Sequence, residues 1–445
     1  MFFLDGSHML RRDGTGIASY ARSLALTLKS ANAPVALLLD CRVRTGRNLP
    51  PIGIDSQVFG NFPPQSRRSR LLEFALQSRL GLTREIRAKL VHTGLLRLES
   101  LDIPLPPHDV VYNMSNGMAF AGAVFALRRQ LAEVTVPEAV TLAHWTGPSP
   151  VRMRNSANVY TLHDAIPLQM PHLVVDRPGE AARRHVAIAA QADHIITVSE
   201  QAREDLIETL NLPAERISVT YQPVPTSPPI DREASERLVR DVYATQPGEY
   251  AFFCGAIEPK KNLYRLIEAF TFAGTGLKLL MAGPLGWLCE DVTNLIGQLG
   301  STTIVPGRRQ VRWLGYLPRL HLAALMRCAR FFVFPSLYEG FGLPVAEAMQ
   351  LGVPVLTSAA GGLGEVAGNA ALLVNPLDVS DMARKIRTLA ADASLRVELA
   401  LRGPVQAARF SHTAHLHRLA EAYRKAGVTI ASPVETQAEA DRVAA

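Results

Sequence analysis

The 445-residue chain has only four cysteines, Cys41, Cys254, Cys289 and Cys328, with no C-x-x-C pair and no histidine at zinc-ligand spacing. A zinc knuckle and a disulfide framework are thereby excluded, and the usage suits a reducing, cytoplasmic setting. No Asp-x-Asp occurs, so the carboxylate pair that commonly holds a divalent cation on a diphosphate is missing and no metal is expected. No apolar run approaches the roughly 18 to 20 residues that span a bilayer. The opening MFFLDGSHMLRRDG places no basic region ahead of its apolar residues, so it does not read as a secretory leader. No repeat of 20 to 50 residues is visible, which argues against a solenoid.

What remains is long and apolar enough, at 48% hydrophobic, to bury two cores. Short strand-like runs alternate with helix-like segments in both halves: MFFL, VALLL, DVVYN, NVYTL, HIITV and RISVT in the first, YAFFC, LKLLM, VRWL, FFVFP, PVLT and ALLV in the second. That alternation predicts an α/β protein with parallel sheets and helical crossovers. The proline-rich QPVPTSPPID, residues 222–231, cannot continue a central strand or helix. The expected layout is a first domain over 1–224, a linker over 225–248, a second domain over 249–411, a helix over 412–428 crossing back to the first domain, and a disordered tail over 429–445.

The net charge is +7, and much of the excess falls between residues 66 and 97, where Arg67, Arg68, Arg70, Arg79, Arg84, Arg87, Lys89 and Arg97 alternate with leucines. The spacing predicts basic amphipathic helices, either a solvated face or a contact with an anionic membrane surface. Nucleic acid is disfavoured because residues 66–100 offer a single aromatic, Phe74.

The most informative stretch is FFVFPSLYEGFGLPVAEAM, residues 331–349. A buried strand is expected to end at Pro335, with a loop holding Gly340 and Gly342 next and then a helix whose first turn admits Pro344. Glycines allow a close backbone approach, and a helix N-terminus offers free N–H groups and positive potential to a phosphate or a hydroxyl. Glu339 and Glu347, with seven residues between them, flank that turn. Their types fit general acid/base chemistry or the recognition of a vicinal diol. Upstream, FFCGAIEPKKNLYRLIEAF places Lys260 and Lys261 after a glycine turn and ahead of a helix, where a cation neutralises a leaving diphosphate.

These two stretches resemble the signature of the family 4, or group 1, retaining glycosyltransferases of the GT-B fold, in which two Rossmann-like domains face each other across a cleft. The resemblance implies a nucleotide-diphosphate sugar as donor substrate and no separate cofactor. Within it, Glu339 lies by the donor sugar, the backbone of Gly340, Phe341, Gly342 and Leu343 meets the sugar and diphosphate, Glu347 holds the ribose, and Lys261 binds phosphate beside Gly255. Family members commonly carry an arginine after that glycine. Ala256 stands there, so Lys260 is expected to supply the missing contact. The G-x-I-E-P-K-K-N form resembles the mannosyltransferase branch, which implies GDP-mannose. MAGPLGW (281–287) is expected to border the base.

In the first half, Gly14, Thr15 and Gly16 precede a helix, a pattern that is a plain turn by itself and a donor or acceptor contact by the family's layout. His163 and Asp164 follow the NVYTL strand at its carboxyl end, where open α/β sheets place ligands. The VYTLHDAIPL context implies that His163 touches the transferring sugar and Asp164 orients the loop. His144 and Trp145, read as part of an AHWTGPSP loop, are expected to border the acceptor, and Ser199 to cap a helix.

The expected function is transfer of a hexose to a glycan or lipid-linked acceptor in polysaccharide biosynthesis, in the cytoplasm or at the cytoplasmic face of the inner membrane. Two rivals remain: a GT-B relative such as a sugar-nucleotide epimerase or glycosyl phosphate synthase, and a non-catalytic basic membrane-binding protein. Front-face attack and double displacement through Glu339 or Asp164 both stay open at this point.

Overall fold

The computed structural model describes residues 1–9, 16–40, 84–91, 105–173, 178–225, 230–301 and 310–430. The first half contributes β1 (Phe2–Asp5), β2 (Val35–Leu39), β3 (Glu85–Arg87), β4 (Lys89–Val91), β5 (Val110–Asn113), β6 (Ala132–Thr135), β7 (Leu142–Trp145), β8 (Val151–Met153), β9 (Ala157–Thr161), β10 (His194–Thr197) and β11 (Ile217–Val219). The second contributes β12 (Tyr250–Cys254), β13 (Lys278–Ala282), β14 (Val311–Trp313), β15 (Phe331–Phe334), β16 (Val355–Ser358) and β17 (Ala371–Val374). All twelve apolar runs seen in the sequence are strands.

The second sheet runs β14-β13-β12-β15-β16-β17, parallel throughout. Counted from its own first strand this is the order 3-2-1-4-5-6 of a dinucleotide-binding fold, whose direction reverses between β12 and β15. The first sheet runs β11-β10-β9-β7-β1-β2-β5-β4, parallel except for β4 on β5, and reverses between β1 and β7. A small parallel sheet, β3-β6-β8, lies beside it. The central strands β1, β2, β12 and β15 are buried end to end, which is why they read as unbroken apolar runs.

Six helices carry the argument: α1 (Gly16–Ser30), α2 (Glu200–Leu210), α3 (Arg232–Tyr243), α4 (Leu343–Gln350), α5 (Leu363–Ala367) and α6 (His412–Lys425). In α1, Tyr20, Ala21, Leu24, Ala25 and Leu28 recur on one face and are buried. Helix α6 returns to the first sheet, where it packs on α1 and β10, and Tyr423 stacks on Phe2 with ring centroids 5.8 Å apart.

Three expectations need correction. Within the expected linker 225–248, α3 buries Ser235, Val239 and Tyr243 at helical spacing against the helix Arg319–Cys328, so this segment belongs to the second half's helical layer. Where the basic stretch is described, Glu85–Arg87 and Lys89–Val91 are strands, not amphipathic helix; the ladders to β6 and β5 decide, and Lys89 sits on an edge strand where charge blocks further pairing. Residues 66–83 and 92–97 lie outside the described residues, as does most of the expected tail. Ile430, assigned to that tail, is buried in the core. Among the described residues no helix is long and apolar enough to cross a membrane.

His144 and His415 are fully buried, and burial lowers their pKa values to about 3 and about 4. Both are neutral in the fold and take up protons on unfolding below the ordinary histidine value of about 6.5. Their contribution is therefore complete above that value and is lost as pH falls toward the folded values. Thermal unfolding from pH 7 to pH 4.5 is expected to show a falling midpoint that the His415→Gln variant flattens. An unchanged slope in that variant contradicts the assignment.

Candidate active site

The site forms where the loops after β12 and β15 meet the loop after β9. After β12, Gly255 takes φ +154°, and Pro259–Lys261 make a single 3-10 turn. Asn262, at φ +61°, donates from Nδ2 to the carbonyls of Pro335 (3.1 Å) and Pro376 (2.6 Å), and Leu337 N donates to Lys260 O at 2.8 Å. Asn262 thus ties the lysine turn to the loop after β15, a role that the quoted motif contained but the sequence reading did not assign.

That tie brings charges together. Lys261 Nζ donates to Glu339 Oε1 at 2.5 Å and lies 4.9 Å from the centre of the Phe334 ring. Lys260 Nζ is 3.9 Å from Glu339 Oε2 and 3.6 Å from Glu258 Oε1, and Lys261 is 4.0 Å from Glu258. Glu258 is a further charge that the sequence reading left unassigned. Burial works to raise the Glu339 pKa, but the two lysines outweigh it and hold the carboxyl below its ordinary value, so it is ionised. Lys260 is raised despite its burial by Glu339, Glu258 and Asp164, so it is charged.

Gly342 has φ +103° at the N-terminus of α4, and a β-carbon there would strike Leu363. Pro344 occupies the first turn, as expected. Glu347 lies on α4, partly buried, with its pKa pushed up to about 7 by burial against the opposing pull of Arg319. Phe341 is buried and packs its ring on Tyr221 and Phe410. Leu343 is partly exposed at the start of α4.

The first half meets this loop directly. A β-carbon on Gly340 would stand 2.6 Å from the His163 carbonyl oxygen and 3.2 Å from Asp164 Cβ, so the backbone of one half touches that of the other. His163 pairs through Nε2 with the Thr146 carbonyl at 2.9 Å; Nε2 must carry the proton, which leaves Nδ1 as the acceptor. Burial lowers the His163 pKa to about 4, and the ring is neutral. Asp164 Oδ1 accepts from Ile166 N at 3.0 Å and so shapes its own turn. Burial raises its pKa while Lys260 opposes the rise.

Two further links close the seam. The Glu365 carboxylate accepts from Glu200 N (2.9 Å) and Gln201 N (2.8 Å), capping α2 from the other half, while Ser199 Oγ caps the same helix at Ala202 N as expected. Tyr338 OH donates to Asp205 on α2. No local signal marked these residues, because both links join segments more than 130 positions apart.

His144 and Trp145 are not brought to the acceptor side. They lie on β7 inside the sheet, fully buried, with Trp145 Nε1 donating to Asn158 Oδ1 at 3.1 Å. The polar and glycine residues that follow, Thr146 to Ser149, suggested a loop starting two residues too early. Gly16 begins α1 with open space around it, whereas Gly14 and Thr15 lie outside the described residues.

The glycosyl transferases group 1 family matches residues 237–404, and glycosyltransferase family 4 matches residues 99–228. O-antigen chain mannosyltransferase B of Escherichia coli is 38% identical over 224 residues, which is 49% of this chain and 56% of that protein. The serotype-specific mannosyltransferase WbdA of E. coli is 31% identical over 269 residues, 58% of this chain and 32% of that protein. The chain thus spans about half or less of the length of these relatives. Among solved structures, sucrose-phosphate synthase from Thermosynechococcus elongatus superposes with a TM-score of 0.61 over 95% of this chain and 98% of that one, at 18% identity. HepE from Anabaena, in complex with UDP and glucose, gives 0.61 over 94% and 98% at 17% identity. These two likenesses establish the GT-B fold.

Gly342→Ala is expected to cost about 1–3 kcal/mol through strain at positive φ, on top of the contact with Leu363. Chemical denaturation checks it, and a variant as stable as the parent refutes the strain.

Proposed function

Because the chain belongs to the group 1 glycosyl transferases of family 4, we propose that it is a retaining hexosyltransferase moving mannose from GDP-mannose to a saccharide or lipid-linked saccharide. The observation that carries the reading is the contact of the loop bearing neutral His163 with the Gly340 backbone, beside Lys260, Lys261 and ionised Glu339. Mannose is supported by the names of the two E. coli relatives and by the G-x-I-E-P-K-K-N form of the lysine turn.

In this reading the bond from the anomeric carbon to the diphosphate oxygen breaks, and its electron pair leaves on the diphosphate. Lys260, Lys261 and the backbone amides at the start of α4 receive that charge. Glu339 supplies negative potential beside the oxocarbenium-like sugar, and Nδ1 of His163 accepts from a sugar hydroxyl. The acceptor oxygen bonds to the anomeric carbon on the face the diphosphate left, and its proton passes to a departing phosphate oxygen. Front-face attack is favoured because two lysines occupy the Glu339 carboxylate and weaken it as a nucleophile. Glu347 accepts the two ribose hydroxyls. With two lysines at the diphosphate and no Asp-x-Asp in the chain, the proposed reaction needs no metal.

The deciding test is a thermal-shift comparison of GDP, UDP, dTDP and ADP without added metal, on the parent and on Glu347→Ala. Selective stabilisation by GDP, weakened in the variant by roughly 100-fold or more in affinity as two hydrogen bonds to a charged group are lost, is the expected result. No shift with any nucleotide at millimolar concentration overturns the donor site. GDP affinity in the parent should fall as pH drops through about 7, where Glu347 takes up its proton. Glu347→Gln should flatten that profile. Retention is read separately from the anomeric proton couplings of the product, and an inverted anomer removes it.

A further inference from the structure

Behind His163 runs a line of polar side chains that the reaction itself does not use. Tyr423 OH of α6 lies 2.6 Å from His144 Nδ1 on β7. His144 Nε2 lies 2.7 Å from Thr161 Oγ1 on β9, and the same oxygen is 2.9 Å from Tyr20 OH on α1. The Tyr20 ring then meets the His163 ring edge-on, centroids 5.0 Å apart at 86°. Tyr20, His144, Thr161 and Tyr423 are all fully buried.

We propose that Tyr423, His144, Thr161 and Tyr20 are positioning residues, a buried hydrogen-bonded chain that carries the docking of α6 through the first sheet to the ring of His163. The proposal rests on His163 acting on the donor sugar. Apolar residues of the same shapes would fill this space without the cost of desolvating four polar groups. A fully satisfied polar network instead enforces one arrangement. Two contacts restrain His163: its bond to the Thr146 carbonyl fixes one edge of the ring, and the Tyr20 ring fixes its tilt. Tyr20 in turn cannot swing without breaking its bond to Thr161, which His144 and Tyr423 hold from behind. The helix that follows the second half in sequence thereby completes a wall of the first half's site.

Both neutral tautomers of His144 satisfy the chain, with the hydroxyls reversing direction together. No step of the reaction needs that reversal, so the chain is a support and not a proton path.

The test uses the full chain, GDP-mannose and a mannose-terminated oligosaccharide, with GDP release as the readout. Tyr423→Phe keeps the stacking on Phe2, and Thr161→Val keeps the shape of its side chain; each is expected to lower kcat roughly tenfold with donor KM nearly unchanged, as for a displaced reacting group. Thr161→Ser, which restores the hydroxyl, should recover most of that loss. In a His163→Ala background neither substitution should cost anything further, because both act through the missing ring. Parental kcat in both variants overturns the proposal, and so do losses that multiply with that of His163→Ala. If Tyr423→Phe fails to fold, the Thr161→Val and Thr161→Ser pair decides alone. Failure of the functional reading has a different signature: no GDP release by the parent, or full kcat in His163→Ala itself.

Discussion

The contact on which the rest of the site depends is the approach of Gly340 to the His163 carbonyl. No side chain fits between them, since a β-carbon would stand 2.6 Å from that oxygen. Two loops that belong to different sheets therefore share one surface. Gly361 and Gly362 repeat the device one layer further out, against Glu339 and Gly340 of their own half and Ser199 of the other. A row of residues without side chains lets the backbones close, and the charged side chains on either flank are pushed into a common space.

That space is electrostatically full. Glu258, Glu339 and Asp164 contribute three carboxyl groups to two lysines, all within a partly buried volume. The arrangement separates roles among groups of one chemical type: Glu339 is held ionised by its lysine partners, Asp164 is pushed toward its neutral form by burial, and Glu347, farther along α4, sits near neutrality. An anionic ligand would enter competition with Glu339 for Lys260 and Lys261. The resting ion pairs therefore keep the lysines charged and aimed until that exchange, at little reorganisation when it happens.

The closed seam is maintained by links away from the charges. Glu365 caps α2 across the interface, Tyr338 reaches Asp205, and α6 crosses back to lay Tyr423 against Phe2 and His144. Each joins residues far apart in the chain. The polypeptide returns to its first half after completing its second, and there α6 packs on α1 and β10.

The sequence by itself determined twelve of the seventeen strands among the described residues, the glycine loops and the choice of Lys261, Glu339, Glu347 and His163 as the residues to watch. These are legible because they are local: a buried parallel strand is an unbroken apolar run, and a glycine between a strand and a helix has few other uses. The sequence misplaced His144 and Trp145 because a four-residue strand, LAHW, carries a histidine whose burial is made tolerable only by Tyr423 and Thr161, 279 and 17 positions away. It read the residues around Arg84 and Lys89 as helix because leucine and arginine spacing speaks for helix until a neighbouring strand supplies a ladder. Which side chains face the cleft, which carboxylate is ionised and which helix supports the site were decided by the tertiary structure alone, because burial and pairing between distant segments set those properties and neither is written in the neighbouring residues.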